Sequence, residues 1–171
     1  MAIIDYVLLI LLITCLYTDL TRRKIYNLAL LPVLVIALVY HSASGGLPQG
    51  WWSLKGLALG TALLIIPFSM GGIGAGDVKL LGVVGACKGP EYVFMAFLAG
   101  AIAGGIISVA QLIRHKSLMS TLKKLLLNLY YRIAGLPRIK DAHTVAGAGG
   151  KDTIPYGAAI AIGAAAAYFA R

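Results

Sequence analysis

The chain has 171 residues, 60% of them hydrophobic and only 12% charged, with a formal net charge of +9 and a mean hydropathy of +0.87. Soluble domains are about half apolar and about a quarter charged, so this composition excludes a soluble globular domain and indicates an integral membrane protein. The basic balance has no aromatic-basic motif beside it, so nucleic acid is not expected as a partner; bases clustered in a few loops at anionic membrane lipid account for it.

Six apolar segments follow in chain order. The first covers about residues 2–18. It has Asp5 where a secretory signal would carry bases, so it is expected to remain as a helix. The second, about 25–40, is short and contains Pro32. The third, about 51–70, opens with Trp51 and Trp52 as an interfacial belt. The fourth, about 78–86, falls short of the roughly 20 residues a span requires unless its Gly-rich flanks extend it. The fifth, about 92–113, is the cleanest span, and the sixth covers about 153–170. Between the last two lies a long basic loop. In it Leu118, Leu122, Leu125, Leu126, Leu129 and Ile133 recur at helical spacing, as in an amphipathic helix lying on the membrane or packed against its neighbours. The expected fold is an all-α membrane protein with about six transmembrane helices plus a cytoplasmic amphipathic helix. It forms one domain over 1–171: a core at 2–113, a cytoplasmic loop at 114–152 and a last helix at 153–170.

The connecting loops alternate in charge. Arg22, Arg23, Lys24, Lys79 and the eight bases of loop 114–152 fall on one side, and only Lys55, Lys88 and Arg171 on the other. The positive-inside rule makes the first side cytoplasmic. Asp19, at the end of the first segment, and Asp77, at the mouth of the fourth, then lie at one membrane face. The chain has six acidic residues in all, and carboxylates at membrane helices are costly unless they serve a function.

Asp77 closes the run Gly72-Ile73-Gly74-Ala75-Gly76-Asp77. Glycines there let backbone or substrate approach without a Cβ in the way. The plainer alternative makes Asp77 an N-cap for the fourth segment. For Asp19 the plainer alternative is an ion pair with Arg22 or Arg23, three and four residues on. Together, two acids at one face behind a Gly-rich approach point to an aspartyl dyad. Close carboxylates cannot both ionise easily, so one keeps a proton. The ionised member can activate water while the protonated member polarises a peptide carbonyl. No metal and no cofactor are required.

Other candidates carry less. Lys79 sits two residues from Asp77, about 200° round a helix, where snorkelling to lipid head groups suits it. His41, His115 and His143 fall in loops without ligand spacing. Cys15 and Cys87 lie in apolar surroundings, as packing residues do. The run Gly147-Ala148-Gly149-Gly150-Lys151-Asp152-Thr153 misses the phosphate-loop pattern, because Val145 and Asp152 stand where Gly and Ser or Thr are needed.

Three stretches together resemble the type IV prepilin peptidase family of intramembrane aspartyl proteases: Tyr17-Thr18-Asp19-Leu20-Thr21-Arg22-Arg23-Lys24-Ile25-Tyr26-Asn27, Gly74-Ala75-Gly76-Asp77-Val78-Lys79-Leu80, and Ile154-Pro155-Tyr156-Gly157-Ala158-Ala159-Ile160-Ala161. The resemblance implies that Asp19 and Asp77 are the catalytic pair. It also implies that Gly74, Gly76, Lys79, Pro155, Tyr156 and Gly157 shape the site or bind substrate. The implied substrate is a pilin or pseudopilin precursor, cut after a short basic leader at the cytoplasmic face of the inner membrane, with membrane lipid around the enzyme. The chain lacks the tetracysteine zinc insertion of larger members and is similar to the short enzymes of tight-adherence pilus systems, so methyltransferase activity is not expected. Tyr26 stands where close relatives often have Pro. Presenilin-like proteases share Gly-x-Gly-Asp but have a Tyr-Asp partner, whereas Tyr17-Thr18-Asp19 lacks that dipeptide. A small transporter or scaffold, with the acids as ion sites, is the non-enzymatic alternative.

Overall fold

The computed structural model describes residues 3–22, 24–70, 73–114 and 156–169, and all five elements in them are helices. They are α1 (Ile3–Arg22), α2 (Asn27–Ser69), α3 (Ala75–Lys88), α4 (Pro90–Arg114) and α5 (Tyr156–Phe169). Packing divides the chain into two compact units, 1–104 with 155–171, and 105–154. Of the second unit the described residues are 105–114, the C-terminal turns of α4. The candidate amphipathic helix in the basic loop lies outside the described residues.

Among the described residues, three helices are long and apolar enough to cross a membrane: Ile3–Arg22, Asn27–Ser69 and the Pro90–Ala110 part of α4. The second and third segments fall in one 43-residue element, two helices that meet at a kink where Gly45 and Gly46 leave helical geometry. Gly46 has φ +65°, a conformation open to glycine at little cost, and Pro48 lies in the first turn of the helix beyond it. The stretch read as a loop at 41–50 is thus largely helical. The fourth segment, α3, has 14 residues, about 21 Å of helix against a hydrocarbon core of about 30 Å.

The core of the first unit is the seam between α2 and α3, whose backbones touch directly. A Cβ on Gly56 would collide with the Gly85 carbonyl, and one on Gly85 with the Gly56 carbonyl. Such contact is how membrane helices gain packing energy when lipid offers no hydrophobic drive. Here α3 is nearly swallowed: every residue from Leu80 to Cys87 is buried. α1 packs against α2, α3 and α5, with a buried stripe of Ile4, Leu8, Leu11 and Cys15 at the three- and four-residue spacing of one helix face.

Long-range contacts fix the relative directions. At one end Asp5 of α1 pairs with Lys88 at the end of α3. At the other, the C-terminus of α1 meets the N-termini of α3 and α5. α1 and α3 therefore run antiparallel.

Candidate active site

Asp19 extends the buried stripe of α1 by one more turn beyond Cys15, so the helix that buries those apolar side chains also buries this carboxyl, at 7% exposure. α5 meets it through Gly157. A Cβ there would stand 2.6 Å from Asp19 Oδ2, so glycine is what allows the helix to close over the acid. Arg22 turns to the Tyr26 hydroxyl, which its Nη1 reaches at 3.5 Å.

Asp77 enters from α3. Gly74, extended at φ −76° and ψ 149°, is the N-cap of that helix, so the reading of Asp77 as the N-cap is corrected: it occupies the third helical position. Its Oδ2 accepts a hydrogen bond from the Gly74 N–H at 3.3 Å. Its Oδ1 is buried and has no hydrogen-bond partner among the described residues. One oxygen thus caps the helix and the other does not. Asp77 and Asp19 lie within range of each other's charge, and Tyr156 at the start of α5 lies within range of Asp77.

The linker between α1 and α2 completes the surround. Gly76 faces Ile25, and an added Cβ would come within 2.9 Å of that side chain. Lys79 leaves the acids as its helical position requires, but its Nζ donates to Asn27 Oδ1 at 3.1 Å and not only to lipid. Of the sequence-predicted site residues, the structure brings Asp19, Asp77, Gly74, Gly76, Tyr156 and Gly157 to one end of the bundle, with Lys79 on its outer side. Pro155 lies outside the described residues.

Ile25 and Asn27 were not singled out in the sequence, although both sit in the run around Asp19. Their contacts with Gly76 and Lys79 cross about 50 residues of chain, and no local pattern reveals them. His41 corrects the loop reading: it is a buried helical residue whose Nε2 lies 3.0 Å from the Cys87 carbonyl oxygen. It stands at the far end of α3 from Asp77. The two cysteines are free and buried.

A Gly-framed aspartate at a short buried helix and a second buried aspartate across from it form one constellation. The model of the type IV leader peptidase family matches residues 6–109, more than half of the chain and inclusive of both aspartates. The chain belongs to this family. No curated protein and no solved structure gives a significant match. As a leader peptidase family member with three helices long and apolar enough to span a bilayer, it is a membrane protein of a peptidase family. The match ends before α5, so Tyr156 and Gly157 enter the site from a segment the family model does not cover.

Proposed function

We propose that this leader peptidase family member is an intramembrane aspartyl endopeptidase that removes the basic leader of pilin-like precursors at the cytoplasmic face of the inner membrane. The observation that carries the reading is the buried Asp77 Oδ1, without a hydrogen-bond partner among the described residues, in electrostatic reach of buried Asp19. A buried carboxylate oxygen held without a partner costs stability, and a site that binds water and a peptide carbonyl gives it a use.

In the proposed reaction the two carboxyls share one proton. The ionised member takes a proton from water, and the resulting hydroxide attacks the scissile carbonyl carbon. The protonated member hydrogen-bonds the carbonyl oxygen as it gains negative charge. When the tetrahedral species collapses, the C–N bond breaks and the nitrogen leaves with a proton from the pair. The protons belong to the pair, so neither aspartate has a fixed role.

The topology follows the same reading. With α2 taken as two arms about Gly45 and Gly46, the described helices form six membrane segments in a single multi-pass peptidase domain. Asp19, Asp77 and Gly157 then share the base-rich, cytoplasmic side.

The test is cleavage of a purified precursor by the purified chain in detergent. Asp19→Asn and Asp77→Asn should each lower kcat by about 10³-fold, the scale of lost acid–base catalysis, without loss of fold. A transporter or scaffold would give no cleavage in the wild type. The rate should fall on both sides of a pH optimum, because acid protonates both carboxyls and removes the base, while alkali ionises both and removes the acid. Chelators should leave the rate unchanged. A chelator-sensitive rate, or full activity in the double variant, overturns the mechanism.

A further inference from the structure

The face of α1 next to its buried stripe carries Leu9, Leu12 and Leu16, with Asp19 on the border between the two. On α5, Gly157, Ala161, Ala164, Ala165 and Tyr168 share one face by the same spacing. The two helices touch at the Asp19–Gly157 end. Towards the other end they part around a groove of about 230 Å³, with Leu8, Leu9 and Leu12 on one wall and Ala164, Ala165 and Tyr168 on the other. Leu9 is half-exposed on its lip. The Asp5–Lys88 ion pair closes the far end.

We propose that this α1–α5 groove receives the apolar helix that follows the cut site of the precursor; the proposal rests on the leader peptidase reading. A peptide bond presented to acids at a membrane boundary belongs to a segment that continues into the bilayer, and the groove lies on the same helix pair as Asp19. Leu12 and Leu8 stand about 10 and 16 Å from Asp19 along the α1 axis. A substrate helix starting at the carboxylates and running beside α1 therefore sets its residues about 7–11 beyond the cut against the groove. The charge pattern is complementary to such a segment. Two carboxylates face the basic leader at one end, the walls between are uncharged, and the charges at the far end neutralise each other. The alanines of α5 keep one wall low, which permits close helix approach. An acyl chain of bilayer lipid is the competing occupant.

The test places a photo-crosslinking amino acid at Leu9 in an Asp77→Asn background, which holds the precursor uncut. The expected product is a cross-link to precursor residues about 7–11 past the cut site, located by mass spectrometry. A parallel measurement compares two substrates, the whole precursor and a short soluble peptide that ends soon after the cut. Ala165→Phe, filling the groove, should lower the kcat/KM ratio of precursor over peptide about tenfold, since remote binding energy is lost only for the longer substrate. A thermal unfolding midpoint near that of wild type confirms that the variant is folded, and Ala165→Leu gives a smaller filling should it not be. Cross-links to lipid alone, or equal slowing of both substrates in folded protein, overturns the groove while leaving the peptidase reading intact. Failure of the wild type to cut either substrate removes the peptidase reading itself.

Discussion

The two ends of α3 are finished in opposite ways. At the C-terminal end, polar groups are matched by side chains from elsewhere in the chain. The Ser53 hydroxyl donates to the Ala86 carbonyl at 2.6 Å, His41 Nε2 stands at 3.0 Å from the Cys87 carbonyl, and Lys88 pairs with Asp5 beneath the rings of Tyr92 and Tyr168. The last carbonyls of a helix have no partner within it, and here buried side chains supply one. At the N-terminal end, Gly74 and Gly76 frame an acid that caps with one oxygen and holds the other, buried, without a partner among the described residues. One end is built for stability and the other carries polar atoms that stability alone does not explain. A 14-residue helix can bear that imbalance because the α2 seam holds it along most of its length.

The two ends should differ most at the acids. Asp77→Asn should cut the rate about 10³-fold while leaving the unfolding midpoint unchanged or raised, because the change removes a buried charge-bearing group that is not fully bonded. An unfolding midpoint well below that of wild type would instead make Asp77 a structural cap, and the contrast between the two ends would disappear.

How far this arrangement was legible in the sequence depends on the range of the interactions involved. The acids stand out through composition, since a carboxylate beside an apolar run is rare, and loop charges alone assign Asp19 and Asp77 one membrane face. Both signals are local or additive. The ends of the two arms of α2 were not legible: the apolar segments stop at 40 and resume at 51, yet only Gly45 and Gly46 leave helical geometry. His41 followed that error: a histidine in a supposed loop is a buried helical residue. The Asp5–Lys88 pair joins residues 83 positions apart, and the Lys79–Asn27 bond spans 52. Nothing in the neighbourhood of either residue specifies its partner; packing of α2 and α1 on α3 does.

The next test moves to Gly157. An alanine there sets a methyl group against Asp19 Oδ2, and α5 or the carboxyl must shift. A displacement near 1 Å at a reacting group can cost about 100-fold, so Gly157→Ala should lower kcat by about 10- to 100-fold. Its unfolding midpoint should stay close to wild type, because the alanine of an α-helix is favoured over glycine by about 1 kcal/mol. Gly56→Ala is the counterpart on the structural side. Its methyl group meets the Gly85 carbonyl rather than an acid, so the loss should appear in stability, with kcat per folded molecule retained.

Ser53→Ala and His41→Leu sharpen the other end. Each leaves a buried carbonyl of α3 with one partner fewer, a loss of about 1–3 kcal/mol. Both should lower the unfolding midpoint, and neither should change the pH profile of cleavage, since they stand at the end of α3 away from Asp77. A displaced pH optimum in either variant would show that the two ends are coupled along the helix and do not act separately.

The smallest effect is expected at the outer edge of the site. Lys79 and Asn27 are exposed, and a hydrogen bond between exposed groups competes with water and head groups, so its net worth is about 0.5–1.5 kcal/mol at most. The bond ties the start of α2 to α3 next to Ile25 and Gly76, and through them it restrains the linker that follows Asp19. Lys79→Met and Asn27→Ala should therefore each slow cleavage by only a few-fold, within about tenfold for a loss of that size, and the double variant should be no worse than the poorer single one, as expected for two groups that act through one contact. Additive losses would mean that Lys79 serves the site through its charge, independently of Asn27. Lys79→Arg distinguishes the two directly, since it keeps the charge but alters the reach to Asn27 Oδ1: a rate close to wild type assigns the effect to charge, and a rate close to Lys79→Met assigns it to the bond.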